Sequence, residues 1–194
     1  MKYIITKSLF AAVLLLAMAS TQAVMLKSYN IEWEGIDNST ATASAMITMD
    51  LDLVNNPGFT STGGGGVPFV TEFMISVSGT FGGIGDGSWG LADFSDILIF
   101  TGVNALDFHS ELVGQIATDP DEEWGSCQGG NCGDFNFFTN TSGAPDADFF
   151  FQIQAGDDLL RLTSFAPKAA IPEPTTLALM GLGIAGLGFR RKTK

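Results

Sequence analysis

The chain has 194 residues, 45% hydrophobic and only 15% charged, with 21 acidic side chains against 9 basic ones. That length fits one folded domain with appended segments, and the hydrophobic fraction excludes bulk disorder. A formal charge of −12 excludes a surface built to neutralise phosphates, so no nucleic-acid partner is expected.

The chain opens with the three parts of a secretory signal peptide. Lys2 and Lys7 form a basic start, Leu9 to Met18 is an apolar run of 10 residues, and Ser20-Thr21-Gln22-Ala23 is a polar exit ending in a small residue. The apolar run is too short to span a bilayer. Residues 1–23 are therefore read as a signal peptide cleaved after Ala23. Ala17-Met18-Ala19 is a stricter A-x-A match but lies too close to the apolar run. The competing reading is a buried N-terminal helix.

Residues 24–168 read as the folded body. Met46 to Leu53 alternates, with Ile47, Met49, Leu51 and Leu53 on one face and Thr48, Asp50 and Asp52 on the other. Asn55-Asn56-Pro57-Gly58 predicts a turn, and Gly63–Gly66 a flexible loop without the Lys-Ser/Thr of a phosphate-binding loop. Val67–Ser78 predicts a second strand, with Phe69, Phe73, Ile75 and Val77 inward. Gly79–Gly90 reads as turns around Phe81. Further strands are expected at Asp96–Phe100, at Leu106–Ile116 (with His109 and Glu111 outward or at an edge), at Phe135–Phe138, Phe149–Gln154 and Leu159–Phe165. No segment holds helical spacing over three turns. About eight short strands with frequent turn signals point to an all-β fold, a single jelly-roll-like β-sandwich.

Between the two end segments only Lys27, Arg161 and Lys168 oppose 20 acids, a net charge of −17. Such a charge keeps an exported protein soluble and repels anionic polymers unless divalent cations bridge them. Cys127 and Cys132, separated by Gln128-Gly129-Gly130-Asn131, are expected to form a small-loop disulfide in an exported chain. A zinc site would need two further ligands, and His109 is the single histidine. Asp119, Asp121, Glu122 and Glu123 form the densest acidic run, able to offer Ca²⁺ hard oxygen ligands but lacking the EF-hand pattern; a solvated acidic loop is the plainer reading. Asp146, Asp148, Asp157 and Asp158 read as solvated too.

No G-x-S-x-G surrounds a serine, so nucleophilic triad chemistry has no support. Carboxylate pairs such as Glu32/Glu34 or Glu72/Glu111 could serve a glycosidase, yet among 20 acids some pair always qualifies. Trp33, Trp89 and Trp124 are candidate sugar-stacking contacts, against the commoner role of a tryptophan in a β core. Asn38-Ser39-Thr40 and Asn140-Thr141-Ser142 match a glycosylation pattern by chance.

The C-terminal end carries a second signal. Pro172-Glu173-Pro174 cannot continue a helix or a central strand. Thr175–Phe189 is an apolar segment of 15 residues with glycines at 181, 183, 186 and 188, and Arg190-Arg191-Lys192-Thr193-Lys194 follows. As a helix that segment spans about 22 Å, short of the ~30 Å hydrocarbon core, so it makes a marginal anchor whose basic tail stays cytoplasmic. Pro172, Glu173 and Pro174, the Leu/Gly-rich segment and Arg190, Arg191 and Lys192 together resemble the PEP-CTERM sorting signal, here assigned to residues 169–194. Ile171 stands where that family usually has Val. The resemblance implies a protein exported by Sec machinery from an exopolysaccharide-producing Gram-negative bacterium and processed by a membrane-embedded exosortase. Leu106–Gln115 (LDFHSELVGQ), Gly133–Phe138 (GDFNFF) and Arg161–Pro167 (RLTSFAP) also resemble bodies that often precede this signal, which implies fold alone.

The expectation is thus a non-enzymatic, cofactor-free exported protein, held briefly in the inner membrane and then placed at the cell surface or in the exopolysaccharide matrix. The alternative is a carbohydrate- or Ca-binding module of that matrix, with a secreted glycosidase in third place.

Overall fold

The computed structural model of the chain describes residues 25–118, 122–126, 133–148 and 151–169. They form an all-β fold with twelve strands: β1 Leu26–Gly35, β2 Thr42–Asp50, β3 Phe59–Ser61, β4 Val70–Ser78, β5 Gly87–Gly90, β6 Phe94–Phe100, β7 Ile116–Thr118, β8 Glu122–Glu123, β9 Asp134–Thr139, β10 Asp146–Ala147, β11 Gln152–Ala155 and β12 Asp158–Pro167. A seven-stranded antiparallel sheet runs β10-β11-β12-β1-β2-β4-β5, a three-stranded sheet runs β3-β6-β9, and β7 pairs with β8. Single-turn 3₁₀ segments at Leu51–Leu53, Phe81–Gly83 and Leu91–Asp93 are the helical elements among the described residues.

Period-2 patterning builds the large sheet. On β1, Tyr29, Ile31 and Trp33 point inward; on β2, Ala43, Ala45, Ile47 and Met49; on β4, Phe73, Ile75 and Val77; all are buried. Register places Ala43 opposite Trp33 and Ala45 opposite Ile31, so small side chains make room beside large ones. A bulge between Glu32 and Trp33 shifts the pairing of β1 with β12.

Aromatic rings join this sheet to the smaller one. Trp33 stacks on Phe135 at 6.5 Å and meets Phe137 edge-on at 5.9 Å. Phe73 packs against Phe94 and Phe137, each at 5.2 Å, and Phe165 lies 5.0 Å from Phe135. Off-parallel pairs of this kind add about 0.5–1.5 kcal/mol each beyond their buried area.

Five expectations are corrected; among them, Gly79–Gly90, expected as turns, ends in edge strand β5 at Gly87–Gly90, paired with β4. Strand β1 was not expected, although Tyr29-Asn30-Ile31-Glu32-Trp33-Glu34 alternates cleanly. The alternation at Met46–Leu53 stops at Asp50, whose carboxylate accepts from Asp52 N at 3.1 Å and starts a 3₁₀ turn, leaving Leu53 exposed. Leu106–Gln115 is not a strand: Asp107 accepts from His109 N at 2.9 Å and Ser110 Oγ at 2.7 Å, and Gln115 Nε2 bonds the carbonyls of Asp107 and Glu111. Local side-chain bonds there replace a ladder, while Leu106, Phe108 and Leu112 remain buried. The Gly63–Gly66 run is a shaped turn, with Gly66 N bonded to Gly63 O at 2.8 Å and Gly63 N to Asp96 Oδ1 at 2.6 Å. Gly64 and Gly65 take φ of +61° and +89°, and a Cβ on Gly63 would overlap the Asp96 carboxyl. Of the other expected strands, Asp96–Phe100, Phe135–Phe138 and Leu159–Phe165 fall within β6, β9 and β12.

Candidate functional site

The outward side chains of β1, β2 and β4 fall into rungs because the register is even. One rung is Glu32–Ser44–Ser76–Ser88, the next Glu34–Thr42–Ser78, and on the other side Asn30–Met46–Met74. Two shallow depressions follow: one of about 320 Å³ lined by Asn30, Glu32, Ser44, Met46, Met74 and Ser76, and one of about 290 Å³ that adds Glu34, Thr42 and Ser78. Shared residues Glu32, Ser44 and Ser76 make them one trough. Its hydroxyls donate and accept, and its carboxylates accept only. Several hydroxyls already pair across strands, Ser76 with Ser88 at 2.7 Å and Thr42 with Ser78 at 3.2 Å. The trough thus sets hydroxyls and two carboxylates beside the apolar side chains of Met46 and Met74.

The tryptophans are not on this face. Trp33 is 1% exposed and Trp124 fully buried, so neither can stack on a sugar ring from solvent. Trp124 Nε1 donates to Phe100 O at 2.9 Å, and its ring lies 5.0 Å from Phe151 and 5.5 Å from Phe165. Trp33 Nε1 has no partner. Trp89 is half-buried on edge strand β5, packed on the core. Hydrophobic burial outweighs ligand contact at Trp33 and Trp124.

The remaining singled-out carboxylates divide by environment. Glu72 accepts from Thr48 Oγ1 at 3.1 Å and ties β4 to β2, and Glu111 accepts from Ser164 Oγ at 2.7 Å and Phe165 N at 2.6 Å and ties its loop to β12. Ser110 Oγ and His109 N hold the Asp107 carboxyl below the usual range. Thr80, through its N–H and hydroxyl, does the same to Asp86. Burial pushes Asp134 up to about 6 despite bonds from Phe151 N at 3.1 Å and Asn136 Nδ2 at 2.7 Å. Asp158, expected to be solvated, is buried and accepts from Phe81 N. Tyr29 is raised by burial and donates to Phe108 O at 2.9 Å. His109 Nδ1 lies 2.8 Å from Lys27 Nζ.

Glu122 and Glu123 are exposed on β8, while Asp119 and Asp121 lie outside the described residues, as do Cys127 and Cys132. Among the described residues, no group of three or more metal-ligating side chains is placed to hold an ion. Residues 1–23, expected to be a signal peptide, and the C-terminal motif, with Pro172, Glu173, Pro174, Arg190, Arg191 and Lys192, also lie outside them. Among the described residues no helix is long and apolar enough to cross a membrane. The trough escaped sequence reading, though Thr42-Ala43-Ser44-Ala45 and Ile75-Ser76-Val77-Ser78 carry its alternation.

The point of attachment of the tail is well defined. β12 pairs with β1 as far as Pro167 opposite Tyr29, and Lys168 N donates to Ser28 O at 2.8 Å. The sheet is therefore bonded to within a few residues of Pro172. Residues 170–192 match the PEP-CTERM protein-sorting motif. No curated protein and no solved structure matches the chain. The chain carries a PEP-CTERM sorting motif, which implies an exported, cell-envelope-associated protein processed by an exosortase.

Proposed function

We propose that this is a non-enzymatic surface or matrix protein of an exopolysaccharide-producing Gram-negative bacterium. The match of residues 170–192 to the sorting motif carries this reading. Residues 1–23 direct Sec export, residues 24–168 fold as a β-sandwich, and residues 169–194 hold the precursor in the inner membrane until an exosortase frees it. Aromatic packing between the two sheets supports the sandwich; the sequence interval between Cys127 and Cys132 supports a disulfide. A short, four-glycine apolar segment with a basic stop suits transient anchoring. Replacing Pro172, Glu173 and Pro174 with alanines is expected to leave a membrane-bound precursor about 2 kDa heavier than the released wild-type form. Release of the variant at normal mass would reduce the tripeptide to a spacer. Wild-type protein retained in the membrane with Arg190–Lys194 attached would overturn the sorting reading.

The trough favours a second reading, in which the body docks a glycan strand of the matrix, with the acidic run at 119–123 as a Ca²⁺-assisted contact. Glycan-array binding with and without EGTA, in wild type and Glu32→Gln, tests it. Signal that survives Glu32→Gln unchanged removes the trough from consideration.

A further inference from the structure

We propose that the end of the body from which the tail departs rests on the bilayer interface while the tail is embedded; this proposal depends on the sorting reading above. The argument begins with chain length. Bonding of Lys168 N to Ser28 O leaves residues 169–174 between the sheet and the apolar segment at Thr175. Six residues reach at most about 20–22 Å fully extended. The headgroup layer takes up roughly 5–8 Å of that, so this end of the sheet lies within about 15 Å of the headgroups.

The surface at that end is suited to such contact. Met25, Leu26 and Leu53 are 50%, 53% and 37% exposed. They are neighbours: Leu26 pairs with Asp50, and Leu51 N donates to Met25 O at 3.0 Å. Lys27 follows Leu26 in the chain and Lys168 N bonds Ser28 O, while their ammonium groups turn to His109 Nδ1 at 2.8 Å and Met46 Sδ at 3.4 Å. The local acids Asp50 and Asp52 serve backbone donors, Asp52 N at 3.1 Å and Met25 N at 3.3 Å. The exposed apolar side chains are the groups at this end able to enter the headgroup boundary, while the carboxylates of Asp50 and Asp52 are turned back onto the backbone.

The opposite end supplies an internal control. Phe81, 73% exposed, and Ile84 sit on the β4–β5 loop, and Phe81 N is bonded to Asp158 at the start of β12. A ten-residue strand separates the two ends by roughly 30 Å. Both ends are apolar, but the tether can bring only the first to the membrane.

The test uses the full-length chain with Pro172, Glu173 and Pro174 replaced by alanine, reconstituted in phosphatidylcholine vesicles with plain or brominated acyl chains. Leu26→Trp, Leu53→Trp and Phe81→Trp are compared with the parent, whose own three tryptophans give the background. Brominated lipid is expected to remove about half or more of the added emission in Leu26→Trp and Leu53→Trp, because interfacial side chains lie ~5–10 Å deep, and little in Phe81→Trp. If neither Leu26→Trp nor Leu53→Trp is quenched beyond the parent while the chain resists carbonate extraction, the body hangs free and the proposal fails. Equal quenching of Phe81→Trp would also overturn it, by removing the preference for one end. Extraction of the chain by carbonate overturns the anchoring reading itself, and the proposal with it.

Discussion

The two sheets are built on different principles. In the seven-stranded sheet nearly every inward residue follows from alternation, and the ladder satisfies its backbone. The layer around β3, β6 and β9 is held by side chains that bond backbone across the sequence. Asp96 gathers Ser61, Thr62 and Gly63; Asn56 brackets Leu106 through both its amide N and O; Thr101 hydroxyl accepts from Gly58 N. Regular pairing needs only a pattern, whereas an irregular layer needs particular polar residues at particular points. The first should therefore lose most when inward volume is removed, and the second should also depend on the particular polar side chains that bond its backbone.

The largest expected effect tests the first half of that contrast. Trp33→Ala should cost about 3–5 kcal/mol in denaturant unfolding, because it empties the contact with Phe135 and Phe137. Trp33→Phe should cost clearly less, since the indole N–H has no partner to lose. A loss below about 1 kcal/mol for the alanine would mean the core closes around the gap.

Asp96→Ala tests the other half. It removes the acceptor shared by the Gly63 N–H and two hydroxyls, leaving Gly63 N only its bond to Ser61 Oγ at 3.1 Å, and about 1–3 kcal/mol is expected, with faster amide exchange confined to residues 61–66. Loss of protection spread across β1 and β2 instead would erase the distinction between the layers.

Asp134, at the start of β9, sharpens the comparison through pH. Its folded value of about 6 lies above the unfolded value of 3.8, so the folded state binds the extra proton. Its contribution to stability therefore rises as pH falls from about 7 toward 4. In chemical denaturation, Asp134→Asn should flatten that rise relative to wild type. Parallel pH profiles for the two proteins would mean that the carboxyl titrates as if in solvent. Asp86 and Asp107, held low in the fold, act oppositely and weaken the fold only below about pH 4.

The smallest effect belongs to the outer face. Ser76→Ala in the trough should leave stability within about 0.5 kcal/mol of wild type. A larger loss would show that the Ser76–Ser88 pair supports edge strand β5 rather than standing free for a ligand.

The same division explains what could be read from the chain. Phe69, Phe73, Ile75 and Val77 were legible because a strand with one wet face writes its geometry as a period of two. Leu106–Ile116 was misread because its apolar residues recur as in a strand, while Asp107 and Gln115 capture the backbone locally. Trp33 and Trp124 illustrate the limit for function: residue type suggests stacking, but only the third dimension decides which side of a sheet a ring occupies. The sorting motif was legible because it is linear and is recognised through residue order. The trough is a property of three strands in register, and no single segment displays it.

The pairing of β1 with β12 has a consequence in time as well as space. Thr163 Oγ1 bonds Glu32 O across 131 residues of sequence, so the first strand finds one of its two neighbours only in the last strand. A chain delivered through a narrow passage with its N-terminus leading cannot complete its main sheet until residue 167 has emerged. Contacts of such long range form slowly, and their absence leaves the chain threadable for nearly its whole length. Closure of the sheet then falls in the same short interval as arrival of the apolar segment, eight residues further on. On the export route proposed above, completion of the fold and arrest of delivery would be timed by one stretch of polypeptide.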